Sequence, residues 1–456
     1  MDAPERRYIF EEMPPRSPAM RQMLPAISSQ MIILIYNLTD TFYVGLLNEP
    51  AQSAALSVVF PLFTVLNAVA NLFGVGGSIV LAQALGRREP DEAKRCSAMT
   101  FWNALAASLL LAALFAATAS QMLSLCGARV ENAQIAYDYA RWVVVIGGPF
   151  TVMSNVLANL IRGEGNAVAA SVGVSLGGVL NIVLDPFFIF PQHLNLGAQG
   201  AGIATAVSNM ASCVFSLGYA LLRKKSGVLS FNPAALREMR GRMGRILSLG
   251  SPSAAQHALA VISVAALTKF TSRYTIEAVA ALGIVKKLDQ LPLFFSLGSG
   301  SGLLPLLSYN HAAGNRERCE KIFRFGCVVS VGFCLTCTIV YELFAPTLVS
   351  IFIKDSLTIS YGAAFLRRMV VAMPMMAFCN AVVTKLQAAG QGSRATIISV
   401  LRKGSLDLPF LFLYDRLLPL YGCMWVQPTV DAIGLAVALI FLYNSKKQLG
   451  RTTLGI

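Results

Sequence analysis

The composition of this 456-residue chain excludes an ordinary soluble protein, because 55% of its residues are apolar and only 13% are charged. The formal net charge of +14 does not indicate a nucleic-acid partner, because the basic residues lie in the connections between long apolar blocks. That distribution is how membrane proteins encode their orientation.

The apolar blocks predict transmembrane helices. Blocks of about 20 residues are long enough to cross the hydrocarbon core as a helix. We count about twelve, centred near residues 32, 68, 107, 145, 178, 210, 258, 292, 332, 373, 404 and 434. A membrane β-barrel would show alternating apolar residues over about 10 positions instead. We therefore predict an all-α integral membrane protein.

A repeat divides these helices into two halves. A pattern in the first half recurs 226 positions later, with Ala54, Leu56, Gly74 and Gly76 matched by Ala280, Leu282, Gly300 and Gly302. The repeat predicts two pseudo-symmetric lobes of six helices each. Secondary transporters commonly have duplicated halves with the substrate path between them.

The boundaries predict five segments. They are a cytoplasmic N-terminal tail (1–20), a first lobe (21–222), a cytoplasmic linker (223–245), a second lobe (246–443) and a cytoplasmic C-terminal tail (444–456). The linker is the most basic connection, with Arg223, Lys224, Lys225, Arg237, Arg240, Arg242 and Arg245. Because positive loops stay inside, both termini and the linker should be cytoplasmic. The first 20 residues lack the apolar core of a cleavable signal, so the first span should target the chain.

Two carboxylates fall inside apolar spans of the first half, at Asp40 and Asp185. A carboxylate in hydrocarbon is costly unless it is paired, hydrated or protonated, so each is a functional candidate. Helical spacing puts an amide or hydroxyl on the same face of each of these helices. The predicted site comprises Asn37, Asp40, Asn181, Asp185, Thr205 and Asn209. It would exchange H⁺ or Na⁺; a purely structural hydrogen-bonded cluster is the alternative.

Charged residues in the second half form a different pattern. Lys286 and Asp289 are three positions apart, and Lys403 and Asp407 are four apart, which are the spacings of neighbours on a helix. Arg402 adds a further cation in the same span. These residues either neutralise one another or take part in gating and substrate repulsion.

Methionine and aromatic side chains in spans eight and ten suggest a deformable apolar cavity for substrate, because methionine adapts to varied shapes and aromatic faces attract organic cations. The candidates are Phe294, Met373, Met376 and Phe378, together with Gln256 and His257 in span seven. Ordinary packing or lipid contact is the alternative for the apolar ones. His257 is either a protonation switch or a hydrogen-bonded packing residue.

Several segments carry a family resemblance: Asn37–Gly45 (NLTDTFYVG), Gly74–Gly86 (GVGGSIVLAQALG), Arg162–Asn166 (RGEGN), Asn181–Phe187 (NIVLDPF), Gly197–Thr205 (GAQGAGIAT) and Gln387–Gly390 (QAAG). In their order along the chain they resemble the bacterial multidrug branch of the multidrug and toxic compound extrusion family. The resemblance implies efflux of amphipathic, often cationic compounds, driven by inward flow of H⁺ or Na⁺ through two six-helix lobes.

The resemblance also implies site residues. It implies that the coupling ion binds at Asp40, Asn181, Asp185 and Thr205. Some relatives place acidic cation ligands in spans seven and ten, where this chain has Gln256-His257 and the stretch Met373–Phe378 without a carboxylate. We therefore do not expect a Na⁺ site in the second lobe.

We predict a secondary active multidrug exporter that alternates between inward and outward openings, not an enzyme. It should lie in the bacterial inner membrane as a monomer, export small organic cations, bind no nucleic acid and need no cofactor beyond the coupling ion. A flippase for a lipid-linked glycan is an alternative, because Lys286, Lys287, Arg402 and Lys403 would suit a basic cavity. A remote alternative, an intramembrane enzyme, lacks a credible nucleophile and base.

Overall fold

The computed structural model describes residues 3–47, 49–223, 227–238 and 241–453, and every regular element in these ranges is helical. Three basic residues of the predicted linker, Lys224, Lys225 and Arg240, lie outside the described residues, as do residues 454–456 of the predicted C-terminal tail.

A short helical segment precedes the first long helix. Helix α1 (Ala3–Arg7) continues into a π-helical turn at Tyr8–Glu12, and the long helix α2 (Arg16–Gly45) follows. Ile9 and Phe10 in the turn are fully buried. Most of the predicted N-terminal tail is thus helical. We call residues 3–12 the N-terminal segment.

The first lobe is formed by α2 and six further helices. They are α3 (Pro50–Gly86), α4 (Pro90–Leu125), α5 (Ala133–Ala140), α6 (Gly148–Gly163), α7 (Ala167–Ile189) and α8 (Gly197–Leu222). A π-helical turn at Arg141–Ile146 joins α5 to α6. The short helix α9 (Ala235–Glu238) lies in the linker.

The second lobe follows the linker with eight helices. They are α10 (Met243–Thr271), α11 (Ile276–Ala312), α12 (Arg316–Ser350), α13 (Ser356–Met369), α14 (Ala372–Ala388), α15 (Gly392–Val400), α16 (Asp407–Leu417) and α17 (Val426–Thr453). A π-helical turn at Leu401–Ser405 connects α15 to α16, and a 3-10 turn at Gly422–Trp425 precedes α17.

Each of the twelve predicted span centres falls in a helical segment. Among the described residues, seven helices are long and apolar enough to cross a membrane, and the bent pairs Ala133–Ile146 with α6 and α13 with α14 bring the total to nine. The remaining three centres lie in α2, α10 and the α15–α16 stretch, which are helical but are not among these nine. Helices α2 and α10 pack between the lobes, against α11 and α3 respectively, so their surfaces meet protein as well as lipid. The predicted all-α membrane fold is confirmed.

The α15–α16 stretch is broken because Lys403 has extended backbone angles (φ −134°, ψ 106°) and Gly404 has φ +107°. Only glycine adopts such a positive φ without strain, so the break requires a glycine at position 404. The break turns the side chains after residue 404 away from the helical register that the spacing predicts.

The two lobes meet at one end of the bundle, which we call the linker end because α10 begins there directly after the linker. A Cβ on Gly298 would lie 2.7 Å from the Cα of Ile27, and one on Gly250 would lie 1.8 Å from the carbonyl oxygen of Leu72. One apolar core joins both lobes there. A separate core, which includes Leu282 and Met373, holds together the opposite end of the second lobe, which we call the far end.

Candidate polar site in the first lobe

Three of the predicted site residues form a hydrogen-bonded group where α7 packs against α8. The amide nitrogen of Asn181 donates to Asp185 Oδ1 at 3.2 Å and to the hydroxyl of Thr205 at 3.5 Å. Asp185 is fully buried, Asn181 is 2% exposed and Thr205 is 7% exposed. An uninterrupted α7 puts residues 181 and 185 on one face, as the four-residue spacing predicts.

Asp40 lies on α2, which packs against α7, the helix of Asp185. The residue as a whole is half-buried, and its Oδ1 atom is buried. Among the described residues, Asp40 Oδ1 and Asp185 Oδ2 are buried and have no hydrogen-bond partner. A buried oxygen without a hydrogen bond costs free energy, so a proton or a cation would be stabilised at both positions.

A small polar cavity of about 40 Å³ lies beside this group. Asn181, Thr205 and Asn209 line it, together with Tyr36, Ser154, Asn155, Ser208 and Ser212. The amide of Asn209 donates to Thr151 Oγ1 at 3.0 Å, which links α8 to α6. This volume has room for a few water molecules or one small cation but not for an organic drug.

The sequence analysis missed part of this lining. Tyr36 lines the cavity, whereas the neighbouring predicted residue Asn37 is half-buried on α2. Tyr36 precedes Asp40 by four positions, so helical spacing from the acid would have found it. Asn155 and Thr151 on α6 also share a face by this spacing, but no carboxylate in that helix draws attention to them.

The second lobe buries its charges in a different arrangement. Arg402 Nε donates to Asp431 Oδ1 at 2.7 Å, and Arg402 Nη1 donates to Asn380 Oδ1 at 2.8 Å. Gln427 donates to Asp431 Oδ2 at 2.7 Å and accepts from Lys403 Nζ at 2.8 Å. Arg402 is 2% exposed and Asp431 is fully buried. Both oxygens of this acid therefore have a partner.

Lys403 and Asp407, for which either pairing or a gating role was expected, do not form an ion pair in the described part of the chain. Asp407 accepts a bond from the backbone nitrogen of Gly404 at 3.2 Å, and Lys403 bonds to Gln427. The spacing argument assumes one continuous helix, and the break at residues 403 and 404 removes it. The other predicted pair is present, because Lys286 Nζ lies 3.7 Å from Asp289 Oδ2 on the unbroken helix α11.

The predicted substrate residues fall into two groups, those packed in an apolar core and those half-buried on α10 and α11. Met373 and Met376 are buried in the core of the second lobe, at 1% and 7% exposure, and Phe378 packs against the core that joins the lobes. This packing does not support a cavity-lining role for the two methionines in the present state. The remaining candidates are half-buried on α10 and α11: Gln256, His257 and Phe294.

His257 Nδ1 lies 2.8 Å from the backbone oxygen of Ser253, one turn earlier on α10. A ring nitrogen facing a carbonyl oxygen donates a hydrogen, so this nitrogen carries a proton and the other is left for exchange. The local bond matches the hydrogen-bonded alternative given for this residue.

Known proteins share this fold and sequence pattern. The MatE family model matches residues 25–187 and 252–413. The multidrug export protein MepA of Staphylococcus aureus strain N315 is 27% identical over 446 residues, covering 98% of this chain and 97% of that protein. MepA of Staphylococcus haemolyticus is 26% identical over 445 residues, with the same shares covered.

Solved structures agree in fold. A MATE protein in complex with MaL6 superposes with a TM-score of 0.90 at 23% identity, covering 98% of this chain and 99% of that one. A MATE family transporter in an outward-facing conformation superposes with a TM-score of 0.87 at 23% identity, covering 96% and 97%. One matched range lies in each half of the repeat, and the prediction of a membrane transporter rather than an enzyme is confirmed: the chain belongs to the MatE family.

Proposed function

We propose that this chain is a multidrug exporter that moves small amphipathic cations out of a bacterial cell by antiport with H⁺ or Na⁺. The MepA proteins it resembles are named for multidrug export. The observation that carries the coupling mechanism is the pair Asp40 and Asp185, each with a buried oxygen that lacks a partner among the described residues.

The coupling step follows from the cost of a buried charge. A carboxylate inside the bilayer is stabilised when it takes up a proton or a cation, and it is destabilised when that ion leaves. If the two conformations of the transporter expose the acids to opposite sides, the ion binds the two states unequally and shifts their populations. Asn181 and Thr205 supply the amide and hydroxyl oxygens for such an ion, and the 40 Å³ cavity supplies its water.

The present state suits the releasing half of the cycle. The lobes touch at the linker end, and the basic linker indicates that this end faces the cytoplasm. The ends of α2, α3, α10 and α11 that lie away from the linker would then face outward. Gln256, His257 and Phe294 lie on those helices, so we place substrate contacts there. Both termini are cytoplasmic in this orientation, and the protein acts as a monomer.

Transport by purified protein in proteoliposomes tests this proposal. Efflux of the dye ethidium is measured under an imposed pH gradient and then under an imposed Na⁺ gradient. One of the two gradients should drive efflux, and Asp40→Asn should lower it by at least about tenfold, because the amide takes up no proton and has no negative charge to attract Na⁺. Asp91→Asn is the matched control, since Asp91 is a first-lobe acid whose side chain is 81% exposed. Unchanged efflux by Asp40→Asn would exclude this coupling site.

Three of the four basic residues that suggested a lipid-linked glycan flippase, all except Lys287, have partners within the protein. A glycan-phosphate cavity needs cations that are free to bind anions. Lys286 is paired with Asp289, Arg402 with Asp431, and Lys403 is bonded to Gln427.

A further inference from the structure

The N-terminal segment connects both lobes at the linker end, although it belongs by chain connectivity to the first lobe. It contacts the connection between α6 and α7 on one side and the junction of α11 with α12 on the other. We propose that this segment is a latch that holds the linker end closed and must detach from one lobe before that end can open. The proposal rests on the alternating access described above.

An arginine fastens the segment to the first lobe. Arg6 Nε donates to the backbone oxygen of Glu164 at 3.0 Å, and Arg6 Nη2 lies 3.5 Å from Glu164 Oε1. The two side chains are 7% and 2% exposed. Glu164 Oε1 also accepts a bond from the backbone nitrogen of Val228 in the linker at 2.8 Å. A buried pair with additional hydrogen bonds resists the loss of either member.

The next turn of the segment docks on the second lobe. The carbonyl oxygen of Phe10 accepts bonds from Asn310 Nδ2 at 3.1 Å and from Arg318 Nε at 2.7 Å. Carbonyls at the end of a helix have no partner within that helix, and a cation is favoured there. The π-helical turn ends at Glu12, so its last carbonyls are available to these donors.

Side chains strengthen the same contact. The ring of Phe10 meets the ring of Tyr309 edge-on with centroids 5.0 Å apart, and the hydroxyl of Tyr309 donates to Glu11 Oε1 at 2.8 Å. Ile9 and Phe10 are fully buried. Separation of the lobes at this end would expose both apolar side chains and remove the bonds that Asn310 and Arg318 donate to the carbonyl oxygen of Phe10. These losses favour the closed state.

Helix-to-helix contacts also close this end, for example the bond from Gln83 Nε2 on α3 to the oxygen of Ala388 on α14 at 2.9 Å. Those contacts come from residues within the lobes. The N-terminal segment differs because it is a short element with separate attachments to each lobe. One weakened attachment therefore shifts the balance between the two states without altering the packing of either lobe.

The distance between the lobes tests the latch directly. Spin labels are placed at Lys94→Cys in the first lobe and Lys321→Cys in the second, in a full chain whose nine native cysteines are replaced. Both lysines have exposed side chains near the linker end. Pulsed electron resonance on the reconstituted protein then gives the fraction of molecules with a lengthened distance. No gradient or drug is present, so a failure of ion-driven transport does not alter this readout.

Two variants weaken opposite attachments. Glu164→Gln removes the charge that holds Arg6 while keeping an oxygen for Val228, and Tyr309→Phe removes the hydroxyl bond to Glu11 while keeping the ring. Each should raise the long-distance fraction by about fivefold, a shift typical of the loss of one coupled contact. Arg6→Ala should do the same. Glu12→Gln is the control, because the side chain of Glu12 is 56% exposed and lies 3.8 Å from Arg7 inside the segment.

Lengthened distances in Glu164→Gln and Tyr309→Phe, with Glu12→Gln like the parent, support the latch. A parent-like distance distribution in all three attachment variants overturns it. An equal shift in Glu12→Gln also overturns it, because the effect would then not depend on the contacts between the segment and the lobes.

Discussion

The two lobes each bury an aspartate but satisfy it in opposite ways. Asp185 in the first lobe has one oxygen bonded to a neutral amide and one without a partner among the described residues. Asp431 in the second lobe has one oxygen on the guanidinium of Arg402 and the other on Gln427. Both acids are fully buried. Of the two acids in the repeated fold, Asp185 can therefore bind an exchangeable ion, whereas Asp431 has a permanent counter-ion.

This difference implies separate roles for the two lobes, ion coupling in the first and structural support in the second. The charge of Asp431 is already balanced by a side chain of the same protein, so this acid does not require H⁺ or Na⁺. We therefore expect the second-lobe network to hold its helices together. Arg402 and Asp431 connect the broken α15–α16 stretch to α17, and Asn380 connects the network to α14 and α11. Variants that remove one charge at a time test whether the two acids differ in this way.

Arg402→Met should give the largest effect on stability. The variant leaves Asp431 charged and buried without its cation, which costs about 3–5 kcal/mol when one partner of a buried pair is removed. The thermal unfolding midpoint of the purified protein in detergent should fall accordingly. The double variant Arg402→Met with Asp431→Asn should recover most of the loss, because no unpaired charge remains. A single variant as stable as the parent would show that the ion pair does not support the second lobe.

A smaller effect is expected when the two acids are neutralised separately. Asp431→Asn strands the cation Arg402 and should destabilise the protein by about 3 kcal/mol. Asp185→Asn removes a charge that lacks a fixed counter-ion, so it should change stability by no more than about 1 kcal/mol in either direction. The same unfolding measurement compares the two substitutions. Equal losses would mean that Asp185 has a permanent counter-ion as well, and the contrast between the lobes would disappear.

The sequence predicted those parts of the fold that depend on periodicity. Repeated glycines indicated two halves, and one of them, Gly302 in the second half, lies where α11 meets α2 of the other lobe. Asn181 and Asp185 were paired correctly because α7 is continuous between them. Spacing on an unbroken helix is a local property, and one sequence is enough to read it.

The sequence did not predict features that depend on distant parts of the chain. Lys403 and Asp407 are separated by a backbone break whose position is apparent only from the angles of residues 403 and 404. Asp431 meets Arg402 across 29 positions, and Phe10 is buried by residues about 300 positions away. No periodic pattern links such residues, so their partners emerge only when both lobes are folded.

The smallest effect is expected at the half-exposed pair of the second lobe. Lys286 and Asp289 keep 21% and 26% of their side-chain surface exposed, and their charged atoms are 3.7 Å apart. Water and salt weaken pairs of this kind, so Lys286→Met should lower stability by about 1 kcal/mol or less. The unfolding midpoint measured at low and high salt checks this, because any loss should shrink as salt rises. A loss as large as that of Arg402→Met, independent of salt, would show that Lys286 is a second permanent counter-ion and that the second lobe contains two such networks.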